Sequence, residues 1–259
     1  MTKILRQYQP DEIYNLAAQS SVSLSFNQPI DTFSFNTLSV FNLLEAVKIV
    51  NSGIKVYQAS SSEMFGSISH LPITEDTEFH PRSPYAISKA AAHWTCVNYR
   101  ESYGVFVCCG ILFNHESYLR STNFFMKKVI REAIEIKYTG RDVLEVGNLD
   151  IKRDFGYAPK YVEAMYLMMQ KEQPGNYLIC SGHSVSLREI VNTVFDKLGI
   201  NKQKIVISKE LYRPADIEDI YGDPQKAKKE LEWDYNMTLD KLINLLLEEE
   251  LSNFEKASK

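Results

Sequence analysis

Cysteine is scarce in this chain and is nowhere arranged to bridge or to bind metal. Four occur among 259 residues, Cys96, Cys108, Cys109 and Cys180, and none forms a Cys-x-x-Cys pair. That pattern gives no disulfide framework and no thiolate metal site, so free thiols in a reducing cytoplasm are expected. The five histidines show no ligand spacing either, and no metal is expected. Charge of one sign is not in excess: 29 Lys and Arg stand against 33 Asp and Glu, a net −4. There is thus no basic footprint for nucleic acid. No apolar run approaches the roughly 18 residues that span a bilayer. Residues 1–6 lack the apolar core of a signal peptide. The expectation is a cytoplasmic protein whose partners include neither nucleic acid nor membrane. Its 44% hydrophobic content suffices for one large domain or two small ones.

What is present alternates between strand and helix. The apolar run at 12–18 follows the turn signal Gln9-Pro10-Asp11 and predicts a strand. Asn36 is placed to cap a helix that carries Leu38, Phe41, Leu44 and Val47 and stops at Asn51-Ser52-Gly53. A strand is expected over 55–60. Ser83 and Pro84 then start a helix that runs to Gly104. The near-continuous apolar run at 105–113 reads as a strand buried on both faces, with Cys108 and Cys109 inside it. Alternation of this kind predicts a doubly wound parallel α/β sheet. Further on, helices are expected over 123–136, 157–169, 187–198, 223–231 and 238–251, and short strands over 176–181 and 204–208.

Three polar clusters fall at expected strand ends, where such sheets bind ligands. They are Leu16-Ala17-Ala18-Gln19-Ser20, Ser60-Ser61-Ser62-Glu63 and Asn114-His115-Glu116-Ser117. Beside the second stands Tyr85-x-x-x-Lys89. Residues four apart share a helix face, and an ammonium beside a phenol favours the phenolate. Such a pair can move a proton on and off a sugar hydroxyl. A serine hydroxyl and a carboxylate nearby add a second acid–base group.

These words carry a resemblance. The chain resembles the extended short-chain dehydrogenase/reductases, and within them the GDP-mannose 4,6-dehydratases. The matches include Tyr-Asn-Leu-Ala-Ala-Gln-Ser at 14–20, Tyr-Gln-Ala-Ser-Ser-Ser-Glu at 57–63 and Pro-Arg-Ser-Pro-Tyr at 81–85. They continue with Asn-Tyr-Arg-Glu-Ser-Tyr-Gly at 98–104 and Gly-Ile-Leu-Phe-Asn-His-Glu-Ser at 110–117. The segments from Gly147 to Asp154 and from Arg213 to Pro224 complete the series.

The resemblance implies a Rossmann-like fold, with a partial dinucleotide-binding domain over 1–117. Residues 118–259 would form mainly a smaller C-terminal α/β substrate-binding region, with some segments returning to the main sheet. It also implies C4 oxidation of a GDP-sugar, elimination of water across C5 and C6, and hydride return to C6. Ser61, Glu63, Tyr85 and Lys89 would be catalytic. Leu16, Ala17, Ala18, Tyr85, Lys89, His115 and Arg120 would contact the cofactor, NADP or alternatively NAD. Asn114, Lys128, Arg153 and Arg213 would hold the nucleotide-sugar. A homo-oligomer, dimer or tetramer, is implied as well.

The chain departs from the pattern in one large respect. No Gly-x-x-Gly-x-x-Gly turn occurs among its residues, and such a turn normally cradles the dinucleotide pyrophosphate. The expectation is therefore a truncated form that lacks its N-terminal cofactor-binding segment. Two other readings stay open: a 4-keto reductase or epimerase that uses the same Tyr and Lys, and a folded remnant that catalyses nothing. Tyr118 and the loop after it also differ from the family, which leaves the hexose less defined than the GDP group.

Overall fold

A computed structural model describes residues 1–257. In chain order the elements begin α1 (Thr2–Tyr8), β1 (Glu12–Asn15), α2 (Val22–Asn27), α3 (Pro29–Val50), β2 (Lys55–Ser61), α4 (Pro84–Tyr103) and β3 (Val107–Leu112). They continue with β4 (Asn114–Glu116), α5 (Phe125–Tyr138), β5 (Leu144–Val146), β6 (Lys152–Arg153), β7 (Phe155–Tyr157), α6 (Ala158–Met169) and β8 (Asn176–Ile179). The last are β9 (Val185–Ser186), α7 (Leu187–Leu198), β10 (Ile205–Ile207), α8 (Gln225–Leu231) and α9 (Leu239–Ala257). The chain folds as two compact units. The first holds Met1–Phe113, Val162–Ile179 and Gly222–Asp234, and the second holds the remainder.

The first unit is built on a parallel sheet in the order β1-β2-β3-β8. Every residue of β3 is buried, which accounts for the unbroken apolar run there. Val107 and Cys109 enter a core with Leu44, Val47, Cys96 and Tyr99 of α3 and α4. Cys108 alternates to the opposite face, where its thiol lies 3.5 Å from the Met168 carbonyl of α6. α4 starts as expected. The Ser83 hydroxyl accepts from the Ala86 amide at 3.1 Å, Pro84 takes the first position, and Gly104 ends the helix at φ 65°.

Three expectations are corrected here. β1 ends at Asn15, so Leu16, Ala17 and Ala18 form the loop beyond it. Asn36 is no cap: α3 starts at Pro29, and Asn36 sits inside it, 2% exposed. Its amide finds partners outside the helix, namely the Gln19 backbone and Ser88, and these outweigh its poor helix propensity. The expectation that no segment is long and apolar enough to cross a membrane also fails by length and composition. α3 has 22 residues, and an 18-residue window within it has a mean hydropathy of 1.2 and is 39% buried. Val40, Leu43, Leu44 and Val47 enter the core of the first unit, while Phe33, Leu38 and Phe41 stay exposed.

The second unit gathers short strand pairs: β4 with β7 and β5 with β10, both parallel, and β6 with β9, antiparallel. Its core is formed by Met126, Val129 and Ile130 of α5, Ile190 and Val194 of α7, and Leu242 and Ile243 of α9. The helical spacing of these residues in sequence is what places them on inward faces.

Two left-handed glycines separate conformational from steric cost. Gly104 has open space where a Cβ would sit. At Gly66 (φ 61°) a Cβ would lie 1.8 Å from the His80 carbonyl oxygen. Gly104→Ala is expected to cost about 1 kcal/mol from backbone strain alone. Gly66→Ala is expected to cost clearly more, because a backbone atom has to move. Urea unfolding of the two variants measures the difference, and equal losses would contradict it.

Candidate active site

The carboxyl end of β2 is where the first unit concentrates its polar groups. Pairing with β1 stops at Gln58, opposite Asn15, while pairing with β3 continues to Ser61, opposite Leu112. Ala59, Ser60 and Ser61 therefore extend past β1 with one flank of their backbone outside any ladder. The Ser61 hydroxyl accepts from the Glu63 amide at 3.3 Å and opens a short 3-10 turn over Ser62–Met64. That turn presents Glu63, which is partly exposed, directly after the strand.

α4 brings the other members. Tyr85 and Lys89 stand one turn apart, 8% and 5% exposed. The Lys89 ammonium donates to the Ala59 carbonyl at 2.5 Å, and the Gln58 amide donates to the same oxygen at 3.0 Å. Burial pulls the ammonium from its ordinary 10.5 down to about 8. The structure thus joins Lys89 to the strand end that carries Ser61 and Glu63, with Tyr85 on the same helix. The loop at Leu16, Ala17 and Ala18 leaves the neighbouring strand. Leu16 and Ala17 are exposed, and Ala18 is partly buried.

The remaining predicted residues belong to the second unit. Asn114 donates to the Asp154 carbonyl at 3.3 Å, and the His115 ring lies 5.1 Å from that of Tyr161. Arg120 stands 3.6 Å from the Glu116 carboxylate, and its guanidinium lies 3.4 Å over the Phe124 ring. Burial pushes Glu116 up to about 7, although Arg120 and Lys127 pull the other way. Lys128 donates to the Glu145 carbonyl at 2.7 Å. Arg153 is 5% exposed and donates to the Lys152 and Ile217 carbonyls at 2.7 and 2.5 Å. Arg213 is exposed.

Two supporting residues were not assigned from sequence. Asn36 ties the Gln19 backbone to the Ser88 hydroxyl, which itself donates to the Tyr85 carbonyl at 2.7 Å. The available signal was an amide between the apolar Phe35 and Leu38 of a helical stretch. Asp154 is fully buried and accepts from the Ser181 and Gly182 amides at 2.8 and 3.1 Å.

A parallel α/β sheet with Ser61 at a strand end and Tyr85 and Lys89 on the following helix defines a Rossmann-like protein of the short-chain dehydrogenase/reductase class. The family model described as GDP-mannose 4,6 dehydratase matches residues 1–246. GDP-mannose 4,6 dehydratase 2 of Arabidopsis thaliana is 46% identical over 93% of this chain and 66% of its own length. The GDP-mannose 4,6-dehydratase of Vibrio cholerae serotype O1 is 37% identical over 97% of this chain and 75% of its own. Among solved structures, RMD of Pseudomonas aeruginosa in complex with NADPH superposes at a TM-score of 0.86. It has 28% identity and covers 95% of this chain and 83% of its own. The dTDP-glucose 4,6-dehydratase DesIV of Streptomyces venezuelae shares the fold at a TM-score of 0.88, with 20% identity over 98% of this chain and 77% of its own. The chain belongs to the GDP-mannose 4,6-dehydratase family, and it spans roughly two-thirds to three-quarters of the length of the two relatives named.

The Lys89 environment carries a signed pH dependence. A free lysine titrates at 10.5 and Lys89 at about 8. Between these values the unfolded chain binds more protons, so stability rises with pH. Below pH 8 both states are protonated and this contribution is constant. Wild type is expected to gain stability relative to Lys89→Met between about pH 8 and about pH 10, by up to about 3 kcal/mol. Denaturant unfolding across that window tests it; a constant difference between the two proteins would refute a buried ammonium.

Proposed function

We propose that this protein acts as a GDP-mannose 4,6-dehydratase, converting a GDP-linked hexose to its 4-keto-6-deoxy derivative with loss of water. The observation that carries the reading is the anchoring of Lys89 on the Ala59 carbonyl. It joins the Tyr85 helix to the strand end that bears Ser61 and Glu63. The family match over residues 1–246 supports the substrate class.

A nicotinamide cofactor fits the donor set. Buried Lys89, Tyr85 and the small Ala17 and Ala18 suit the ribose and nicotinamide end, while no glycine-rich turn of this chain supplies a pyrophosphate cradle. NADP is the cofactor in this reading, with NAD as the alternative: RMD was solved with NADPH and DesIV with NAD. When bound, the cofactor supplies reversible hydride transfer. The chain's own groups do the acid–base work. Tyr85, as the phenolate, takes the O4 proton during oxidation at C4, and the positive charge of Lys89 stabilises that phenolate. Ser61 hydrogen-bonds the same oxygen. The resulting 4-ketone acidifies C5–H. Glu63 removes that proton and returns one to the C6 hydroxyl as it leaves as water. For residues of the second unit, the resemblance would assign cofactor contact to His115 and Arg120 and grip on the sugar diphosphate to Asn114, Lys128, Arg153 and Arg213, for which paired guanidinium donors are suited.

Two variants divide the cycle. Tyr85→Phe is expected to abolish the first oxidation, so no reduced cofactor accumulates. Glu63→Gln is expected to retain partial oxidation while solvent deuterium no longer reaches C5. Both are read by cofactor absorbance and by mass spectrometry of the product. Preference for dTDP-glucose or UDP-glucose over GDP-mannose would overturn the substrate, and equal loss of both steps in Glu63→Gln would overturn its role.

The reading extends to self-association. α3 and α4 pack along each other, and they expose Phe33, Leu38, Phe41, Trp94 and Tyr103. Large apolar groups on adjacent exposed helices mark interaction surfaces, and a second copy is the proposed occupant. Light scattering behind size exclusion is expected to give a dimer or larger for wild type and a lower mass for Phe41→Glu with Trp94→Glu. A monomeric wild type at micromolar concentration would refute it.

A further inference from the structure

The face of α4 that carries Tyr85 and Lys89 continues to His93, one turn further on. His93 is 2% exposed. Its Nδ1 lies 2.9 Å from the Ser60 hydroxyl, and the Cys109 thiol of β3 is also within hydrogen-bonding reach of the ring. Phe79 and Trp94 meet the ring edge-on at 5.2 and 6.0 Å. None of these groups reacts in the proposed cycle.

Ser60 stands between the two residues on which that cycle depends. Ala59 gives the carbonyl that receives Lys89, and Ser61 gives the hydroxyl. This three-residue stretch has lost its β1 neighbour, because pairing on that side ends at Gln58. A strand end held on one flank has freedom that a site tolerant of only about 1 Å of error cannot accept. The Lys89 bond to the Ala59 carbonyl is one restraint on that stretch from α4, and the side-chain link from Ser60 to His93 is a second.

We propose that His93 is a positioning residue: through Ser60 it fixes the end of β2, and thereby both the carbonyl that holds Lys89 and the hydroxyl of Ser61. The proposal rests on the reading of Ser61, Tyr85 and Lys89 as reaction-centre groups. The bland alternative is a core histidine that only fills the space between Phe79 and Trp94.

The test compares His93→Asn, His93→Phe, Ser60→Ala and the double variant Ser60→Ala/His93→Phe in the full chain. Asparagine keeps a polar atom near the place of Nδ1, and phenylalanine keeps only the ring. Both remove the same titratable group, so a difference between them reports the hydrogen bond and not a lost charge. The first readout needs no cofactor or substrate: the Lys89 titration followed by NMR of Cε-labelled lysine, assigned with Lys89→Met. The titratable groups facing Lys89 are Cys96 and Cys109, together with Tyr85 and His93 on its own helix; both histidine variants take the imidazole away from Cys109 alike, and Ser60→Ala leaves all four in place. His93→Phe and Ser60→Ala are expected to move the midpoint from about 8 toward 10.5 by about one unit, and His93→Asn to stay near wild type.

The second readout is turnover of GDP-mannose by the holoenzyme. His93→Phe and Ser60→Ala are expected to lower kcat about tenfold or more with KM changed less than about threefold. The double variant should be no worse than either single one, and His93→Asn should recover most of kcat. If His93→Phe does not fold, Ser60→Ala carries the same two measurements. Identical behaviour of the Asn and Phe variants, or wild-type values for Ser60→Ala, would overturn the proposal. A wild type inactive on GDP-mannose but still separating Asn from Phe in the titration would sustain the positioning role and reject the substrate reading.

Discussion

A buried ammonium cannot remain unpartnered, and the architecture of the first unit follows from where Lys89 finds its acceptor. The Ala59 carbonyl is available because β2 outruns β1. A charge-assisted bond to a main-chain oxygen is stronger than a neutral one, and it pins the N-terminal part of α4 to a single point on the sheet. Losing it would leave an isolated charge in the core, which costs several kcal/mol. Around that pin, the Ser61 hydroxyl and the Glu63 amide close the end of β2 on each other, and Tyr85 stands one turn before Lys89 on α4.

Polar groups near the pin are tied to distant parts of the chain as well as to their neighbours. Asn36 joins the loop after β1 to the first turn of α4, and Ser88 passes that restraint to the Tyr85 carbonyl. Buried polar groups that are fully satisfied rigidify the core around them. The same logic operates in the second unit, where Asp154 closes on two consecutive amides and Arg153 closes on two carbonyls.

Much of this arrangement was legible in the sequence, for a local reason in each case. Ser83, Pro84 and Gly104 mark the ends of α4 by capping chemistry that involves only neighbouring residues. The apolar run of β3 reflects burial on both faces, and Tyr85 and Lys89 share a face by helical geometry alone. Asn36 was misread because its side chain looks like a cap in isolation. Its real partners, Gln19 and Ser88, are far away in sequence. His93 and Ser60 gave no local signal, since a histidine among alanines and a serine within a serine run are both unremarked until the sheet forms.

The sequence by itself determined the order of strands and helices, the family and which side chains are candidates for the site, because periodicity, capping and motif spacing are properties of short segments. Only the tertiary structure decided that β2 runs past β1, that the Lys89 charge is buried against Ala59, and that His93 closes on Ser60. Those outcomes depend on register between strands and on desolvation within a packed core, and neither exists until segments distant in the chain are brought together.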